Sequence, residues 1–114
     1  MKIATDLNQS KILEGIFSLK TADMCYIKEK LNPGFLYEEY KMFSDTILQD
    51  YQPAWSLTAL IKMLPKGFVL AGAQDEEDLY SVWVPGFDSP HIWNDNPLDA
   101  VFEMIIWLKE NNKI

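Results

Sequence analysis

The chain has 114 residues, of which 48% are hydrophobic and 24% charged, as in an ordinary globular domain. Its 17 acidic and 10 basic residues give a net charge of −7, and every basic residue is a lysine. A surface without arginine lacks the bidentate donor that usually recognises phosphate and guanine, and net negative charge opposes a phosphate backbone, so we expect no nucleic-acid partner.

The first predicted element is an amphipathic helix over about 7–19. Its apolar positions recur at helical spacing: Ile12, Leu13, Ile16 and Phe17. Asp6 or Asn8 has the side chain that caps a helix start. Gly15 weakens the middle of this helix by ~1 kcal/mol relative to alanine.

A β-hairpin is predicted next, over about 24–41. Residues 24–27 have the composition of a short strand, and the sequence Asn-Pro-Gly at 32–34 is a strong turn signal. Residues 35–43 fit either a second strand or a short helix, so both readings stay open. Residues 44–52 are predicted to form a polar loop or a further turn.

The second helix is predicted over about 56–64. Ser56 is an N-cap residue, and Trp55 and Leu60 occupy the two positions of a hydrophobic staple. Pro65 cannot continue a helix and therefore marks its end. These signals define a short helix with clear limits.

A second hairpin is predicted over about 68–84, from two β-rich runs on either side of the acidic run 75–78. The four adjacent carboxylates lack the alternating spacing of a calcium loop, so we read them as a solvated turn and expect no metal site there. Residues 87–95 are predicted to be a loop or an irregular edge segment.

The last predicted element is a helix over about 97–110. Asn96 is suited to the N-cap, Pro97 to the first helical position, and Asp99 to the positive end of the helix dipole. Short connections between neighbouring strands favour an antiparallel sheet. The sequence therefore predicts an α+β fold, with a small antiparallel sheet covered by three helices, in one domain over residues 1–114.

Two stretches carry a resemblance to other proteins. Residues 53–57 read Pro-Ala-Trp-Ser-Leu and are followed by a Leu-Pro pair at 64–65, and residues 96–100 read Asn-Pro-Leu-Asp-Ala and are followed by Trp-Leu at 107–108. With Thr-Ala-Asp-Met at 21–24, they resemble a family of small proteins of unknown function from genomes, prophages and mobile elements of gut anaerobes. The resemblance implies a shared folding pattern, and it assigns no catalytic residue or ligand.

The single cysteine and the single histidine are the candidates for chemistry. Cys25 as a thiol nucleophile, His91 as its base and Asp88 or Asp95 as the orienting carboxylate would suit a small hydrolase or transferase. Cys25 lies in an apolar strand, however, where cysteine usually acts as a small hydrophobic residue. One cysteine and one histidine also fall short of a four-ligand zinc site, so we expect no metal or other cofactor.

Aromatic residues are concentrated between the second hairpin and the last helix. Trp83, Phe87, His91 and Trp93 lie close together in the sequence. Aromatic side chains that gather on a surface dominate the energetics of protein interfaces. If they are exposed together, these four residues form an interaction loop. The alternative is that most of them pack into the core.

Cysteine usage and hydropathy indicate the compartment. Cys25 cannot form an internal disulfide, which fits a reducing environment, and no apolar run approaches the ~20 residues of a membrane span. We therefore expect a cytoplasmic protein without membrane association.

The first functional hypothesis is a non-enzymatic interaction or accessory protein whose acidic surface favours a basic protein partner. A homodimer is a further prediction if the last helix keeps an unburied apolar face. The alternative function is the Cys25/His91 hydrolase or transferase.

Overall fold

The computed structural model describes residues 2–34, 51–72 and 79–114. Its contacts divide the chain into an N-terminal unit, Ile3–Ala59, and a C-terminal unit made of Met1–Lys2 and Leu60–Ile114. The protein is α+β, as predicted, with two three-stranded antiparallel sheets and three α-helices in the described part. The acidic run 75–78 and the ambiguous segment 35–43 lie outside the described residues, and the single domain stays a prediction.

The N-terminal unit contains helix α1 and a three-stranded sheet. Helix α1 is Leu7–Glu14, and the strands are β1 Met24–Ile27, β2 Lys30–Asn32 and β3 Tyr51–Ala54. The strand order is β2-β1-β3, so β1 is central and pairs antiparallel with both neighbours. The sequence predicted a polar loop or a turn over 44–52, which includes the first two residues of β3. Strand β3 itself was not predicted.

The first hairpin turns earlier than the sequence indicated. Strand β1 pairs with Lys30–Asn32, so the connection consists of Lys28 and Glu29 alone. Both residues have positive φ angles, 50° and 66°, as a tight two-residue turn between twisted strands requires. The sequence Asn-Pro-Gly at 32–34 was predicted to be the turn, but Asn32 is the last residue of β2 and only Pro33 and Gly34 follow the strand.

Helix α1 is shorter than predicted and ends at Glu14. Of the two predicted cap residues, Asp6 and Asn8, the structure shows Asp6: its carboxylate accepts the Gln9 N–H at 2.7 Å, and the Gln9 side chain accepts the Asp6 N–H. At the other end, the N–H of Gly15 bonds three residues back to the Ile12 carbonyl, which tightens and closes the last turn.

A buried polar network surrounds Trp55 at the end of β3. The Trp55 backbone N–H donates to the Thr5 hydroxyl at 3.1 Å, and its indole N–H donates to the Thr21 hydroxyl at 2.8 Å. The Thr5 hydroxyl also lies 2.7 Å from that of Ser10, and Tyr26 donates to the Thr5 carbonyl at 2.8 Å. Thr5, Ser10 and Trp55 are fully buried, so these bonds satisfy groups that water does not reach.

Ser56 connects two of the sequence stretches that carry the resemblance. Its hydroxyl donates to the Asp23 carboxylate and accepts the Ala59 N–H at 3.2 Å, which confirms the predicted helix cap. The Asp23 carboxylate also accepts the Ser56 N–H at 2.8 Å. Residues 21–24 and 53–57 are therefore held together by side-chain bonds as well as by the pairing of β1 with β3. Their polar side chains stabilise local structure.

The C-terminal unit contains a second sheet and the longest helix described. The boundary between the two units, between Ala59 and Leu60, lies within helix α2, Leu57–Lys62. Strands β4 Val69–Ala71, β5 Tyr80–Trp83 and β6 Ile92–Asn94 form an antiparallel sheet in the order β4-β5-β6. Strand β6 lies where the sequence predicted a loop or an irregular edge segment.

Helix α3, Pro97–Glu110, has the predicted limits. Asn96 accepts the Leu98 N–H at 2.9 Å, and Pro97 occupies the first turn, so the predicted cap is confirmed. The helix lies against β5 and β6. Its buried residues share one broad apolar side: Pro97, Leu98, Ala100, Val101, Met104, Ile105 and Leu108.

Candidate binding groove

The two faces of the second sheet have different surroundings. Asn94 of β6 donates to Glu103 of α3 at 3.4 Å, so this side chain marks the face that α3 covers. Val82 pairs with Ile92, which is two residues before Asn94, so Val82 lies on the same face of the sheet as Asn94. Val82 is fully buried. Side chains alternate between the faces of a strand, so Ser81, Trp83 and Trp93 lie on the opposite face.

Three aromatic rings are stacked on that opposite face. The ring centroids of Trp83 and His91 are 4.2 Å apart with an interplanar angle of 12°, and those of His91 and Trp93 are 6.4 Å apart at 26°. Both separations lie in or close to the range of attractive aromatic pairs. Trp93 is 53% exposed, His91 is exposed and Trp83 is half-buried. The stack therefore has one partly buried end and one end open to solvent.

A groove of about 330 Å³ lies beside this stack. It is lined by Ala71, Gly72, Leu79, Ser81, Trp83, His91 and Trp93. The pairing explains this set, because Ala71, Ser81 and Trp93 occupy one row across the three strands. The small side chains of Ala71 and Ser81 leave space beside the larger aromatic rings. The volume is at the lower end of the ~300–1,000 Å³ typical of ligand sites, which suits one large side chain or a short peptide segment.

Ser81 brings a polar group into an otherwise apolar lining. The residue is only 3% exposed, and it lines the groove. A hydroxyl offers one donor and two acceptor positions. A bound group could therefore form a directed hydrogen bond with it inside the groove.

The structure brings together three of the four residues predicted as an interaction loop. Trp83, His91 and Trp93 line the groove, whereas Phe87 is half-buried in a short 3₁₀ turn, Pro85–Phe87, and is not a lining residue. Asp88 follows this turn with a left-handed φ of 51°. The turn separates β5 from the segment that carries His91, so Phe87 is left outside the groove.

Sequence reasoning missed the other lining residues. Leu79, just before β5, and Ser81 and Trp83 within it are spaced two residues apart, which is a signal for a shared face. A serine between two large apolar residues, however, carries no functional pattern. Ala71 and Gly72 join the groove through the pairing of β4 with β5, and that pairing register is not visible in the sequence.

Cys25 has the surroundings of a structural cysteine. It is 1% exposed in the central strand β1, and its thiol donates to the Gly34 carbonyl at 3.4 Å. A reactive thiol is typically partly exposed and electropositive in its environment. Among the described residues that line the groove there is also no carboxylate, whereas the predicted catalytic arrangement included one.

The described residues contain neither a cluster of possible metal ligands nor a helix that could span a membrane. In residues 2–34, 51–72 and 79–114, no group of three or more histidine, cysteine or acidic side chains is arranged to hold a metal ion. Within those same ranges, no helix has both the length and the apolar character to cross a lipid bilayer.

Comparison of the chain with protein-family models, with curated proteins and with solved structures found no match. The resemblance to proteins of gut anaerobes and their mobile elements therefore stays a prediction. The groove and its stacked rings are the features on which a functional proposal can be built.

Proposed function

We propose that this protein is a non-enzymatic binding protein that holds a protein partner through the aromatic groove. The observation that carries the proposal is the stack of Trp83, His91 and Trp93 beside a groove, on the face of the sheet opposite α3. Tryptophan is the residue most often found at the energetic centre of an interface. A 53% exposed Trp93 at the open end of the stack provides such an anchor.

The charge of the protein supports a basic partner. At a net charge of −7, association with a positively charged surface is accelerated by long-range attraction. We place this activity in the cytoplasm, on the grounds of the single cysteine and the absence of a long apolar run in the sequence. An origin in a prophage or mobile element belongs to the same proposal and depends on the resemblance. Self-association stays a prediction that sedimentation of the purified chain tests.

The experiment is a selection from a displayed random-peptide library against the immobilised wild-type protein. We expect recovered peptides to share a sequence pattern and to bind Trp93→Ala at least about tenfold more weakly, as for an anchor residue. Trp93 is largely exposed, so the substitution should leave the fold intact, which circular dichroism verifies.

Ile114→Ala provides the matched control. Ile114 is another exposed, large apolar residue of the C-terminal unit, and it does not line the groove. The selected peptides should bind this variant and the wild type equally. Recovery of no common pattern, or of peptides that bind the Trp93 variant with unchanged affinity, would refute groove-mediated binding.

The alternative function, a hydrolase or transferase with Cys25 and His91, receives no support from the described contacts. The Cys25 thiol is buried, and the His91 ring stacks on Trp83. Measurement of thiol alkylation in the folded protein tests this reading. Rapid, pH-dependent modification of Cys25 would favour the enzyme over the binding protein.

A further inference from the structure

The groove places two electron-rich indole rings in an acidic protein. The face of a tryptophan ring carries negative electrostatic potential and attracts cations within about 6 Å of its centre. From this combination we infer that the groove takes the guanidinium group of an arginine side chain supplied by the partner. The inference rests on the proposed function and specifies the chemistry of the partner.

Charge complementarity favours a cation at this position. The C-terminal unit has nine acidic residues and five lysines in its sequence. In the sequence, four of those acids, at 75–78, fall between Gly72 and Leu79, which both line the groove. An anionic ligand would meet repulsion from this unit, and a neutral one would gain nothing from its charge.

Among cations, the guanidinium group fits the lining better than an ammonium group. It is planar, weakly hydrated and able to lie flat on an aromatic ring, whereas an ammonium group is compact and strongly hydrated. The methylene stem of arginine can cover the apolar surface of Ala71 and Leu79. The Ser81 hydroxyl can accept one guanidinium N–H. Aromatic, apolar and polar lining residues thus each meet a matching part of the side chain.

The composition of the chain also identifies the source of the arginine. This protein contains none, since all ten of its basic residues are lysine. A second copy therefore cannot supply the group, and the occupant comes from a different protein. The predicted homodimer, if it forms, uses another surface.

The test uses three blocked pentapeptides that differ only in two side chains: Gly-Arg-Gly-Arg-Gly and its lysine and citrulline versions. Citrulline keeps the shape of arginine and removes its charge. We expect the citrulline peptide to bind about 5- to 30-fold more weakly than the arginine peptide, with the lysine peptide between them. Added salt should weaken binding of the arginine peptide more than that of the citrulline peptide.

The four tryptophans supply the readout, as indole N–H signals in nitrogen-15 NMR spectra of the full chain. The arginine peptide should shift the signals of Trp83 and Trp93. The Trp55 signal should stay fixed, because its indole N–H is buried and bonded to Thr21. A matched variant pair gives a binding test: His91→Lys places a competing cation in the stack and should reduce binding of the arginine peptide, whereas Ile114→Lys adds the same charge outside the groove and should retain it.

The outcomes separate this inference from the proposed function. Equal affinity of the arginine and citrulline peptides, or unshifted Trp83 and Trp93 signals, would overturn the arginine inference. In that case, library-selected peptides that bind Trp93→Ala more weakly than the wild type would still support binding in the groove, by a side chain other than arginine. If the selection also fails, the proposed function falls with the inference.

Discussion

The substitution Thr5→Val tests the buried network at the end of β3. Valine has nearly the shape of threonine and lacks only the hydroxyl, which accepts the Trp55 backbone N–H at 3.1 Å and lies 2.7 Å from the Ser10 hydroxyl. Thr5 and Ser10 are fully buried, so water does not replace the missing partner.

The expected loss of stability follows from the two groups left behind. An unsatisfied buried N–H costs about 1–3 kcal/mol, and the lost bond to Ser10 about 1 kcal/mol more. We therefore expect the free energy of unfolding to fall by about 2–4 kcal/mol, a large part of the ~5–15 kcal/mol that holds a typical domain folded. Thr5→Ser is the matched control, because it keeps the hydroxyl and loses a methyl group worth about 1 kcal/mol.

Urea unfolding followed by circular dichroism measures these differences, with the slope against urea compared among the variants. Adding Ser10→Ala to each Thr5 background completes a double-mutant cycle. In the valine background this second change should cost less than in the wild type, because Ser10 has already lost its closest partner. Equal stabilities for the valine and serine variants would show that the hydroxyl network contributes nothing and would refute this reasoning.

Three further substitutions test local features. Ser56→Ala should reduce the free energy of unfolding by about 1–2 kcal/mol, since it removes the helix cap and the bond to Asp23; Ser56→Thr should recover most of it in urea unfolding. Glu29→Gly should stabilise the protein by about 0.5–1 kcal/mol, because Glu29 has a φ of 66°; a lower melting temperature would contradict this. Asn96→Ala should cost about 1 kcal/mol and Asn96→Asp almost nothing; equal losses would exclude capping as the cause.

The sequence predicted the parts of the fold that are specified locally. Helix α3 has the predicted limits because Asn96 and Pro97 define its start within a few residues. The caps at Asp6 and Ser56 were predicted for the same reason. A cap bonds to a backbone N–H only two or three positions away, so all its determinants lie within one short stretch of sequence.

The missed strands depend on distant partners. Strand β3 contains Pro53, and a proline usually argues against a strand. In the structure Pro53 pairs with Cys25 of the central strand, but β3 itself is an edge strand, where a missing backbone N–H is tolerated. Strand β6 has only three residues and is defined by its pairing with β5. The turn at Lys28 and Glu29 was missed because neither residue is a usual choice for positive φ.

The candidate site was predictable in its aromatic part only. Trp83, His91 and Trp93 are close in the sequence, and their concentration indicated a contact surface. Phe87 is equally close and lies outside the groove, in the 3₁₀ turn. Ser81 gave no signal, because its place in the groove depends on the register that sets it opposite Trp93. Sequence proximity thus indicated the region, and strand register decides which side chains share the face.

The distribution of tryptophan gives the chain a built-in reporter of folding cooperativity. Trp55 is the one tryptophan of the N-terminal unit, and the other three belong to the C-terminal unit. Replacing those three by phenylalanine would leave fluorescence emission that follows the N-terminal unit alone. Its melting curve, set beside the loss of helical ellipticity, would show whether heat disrupts both units in a single transition or one before the other.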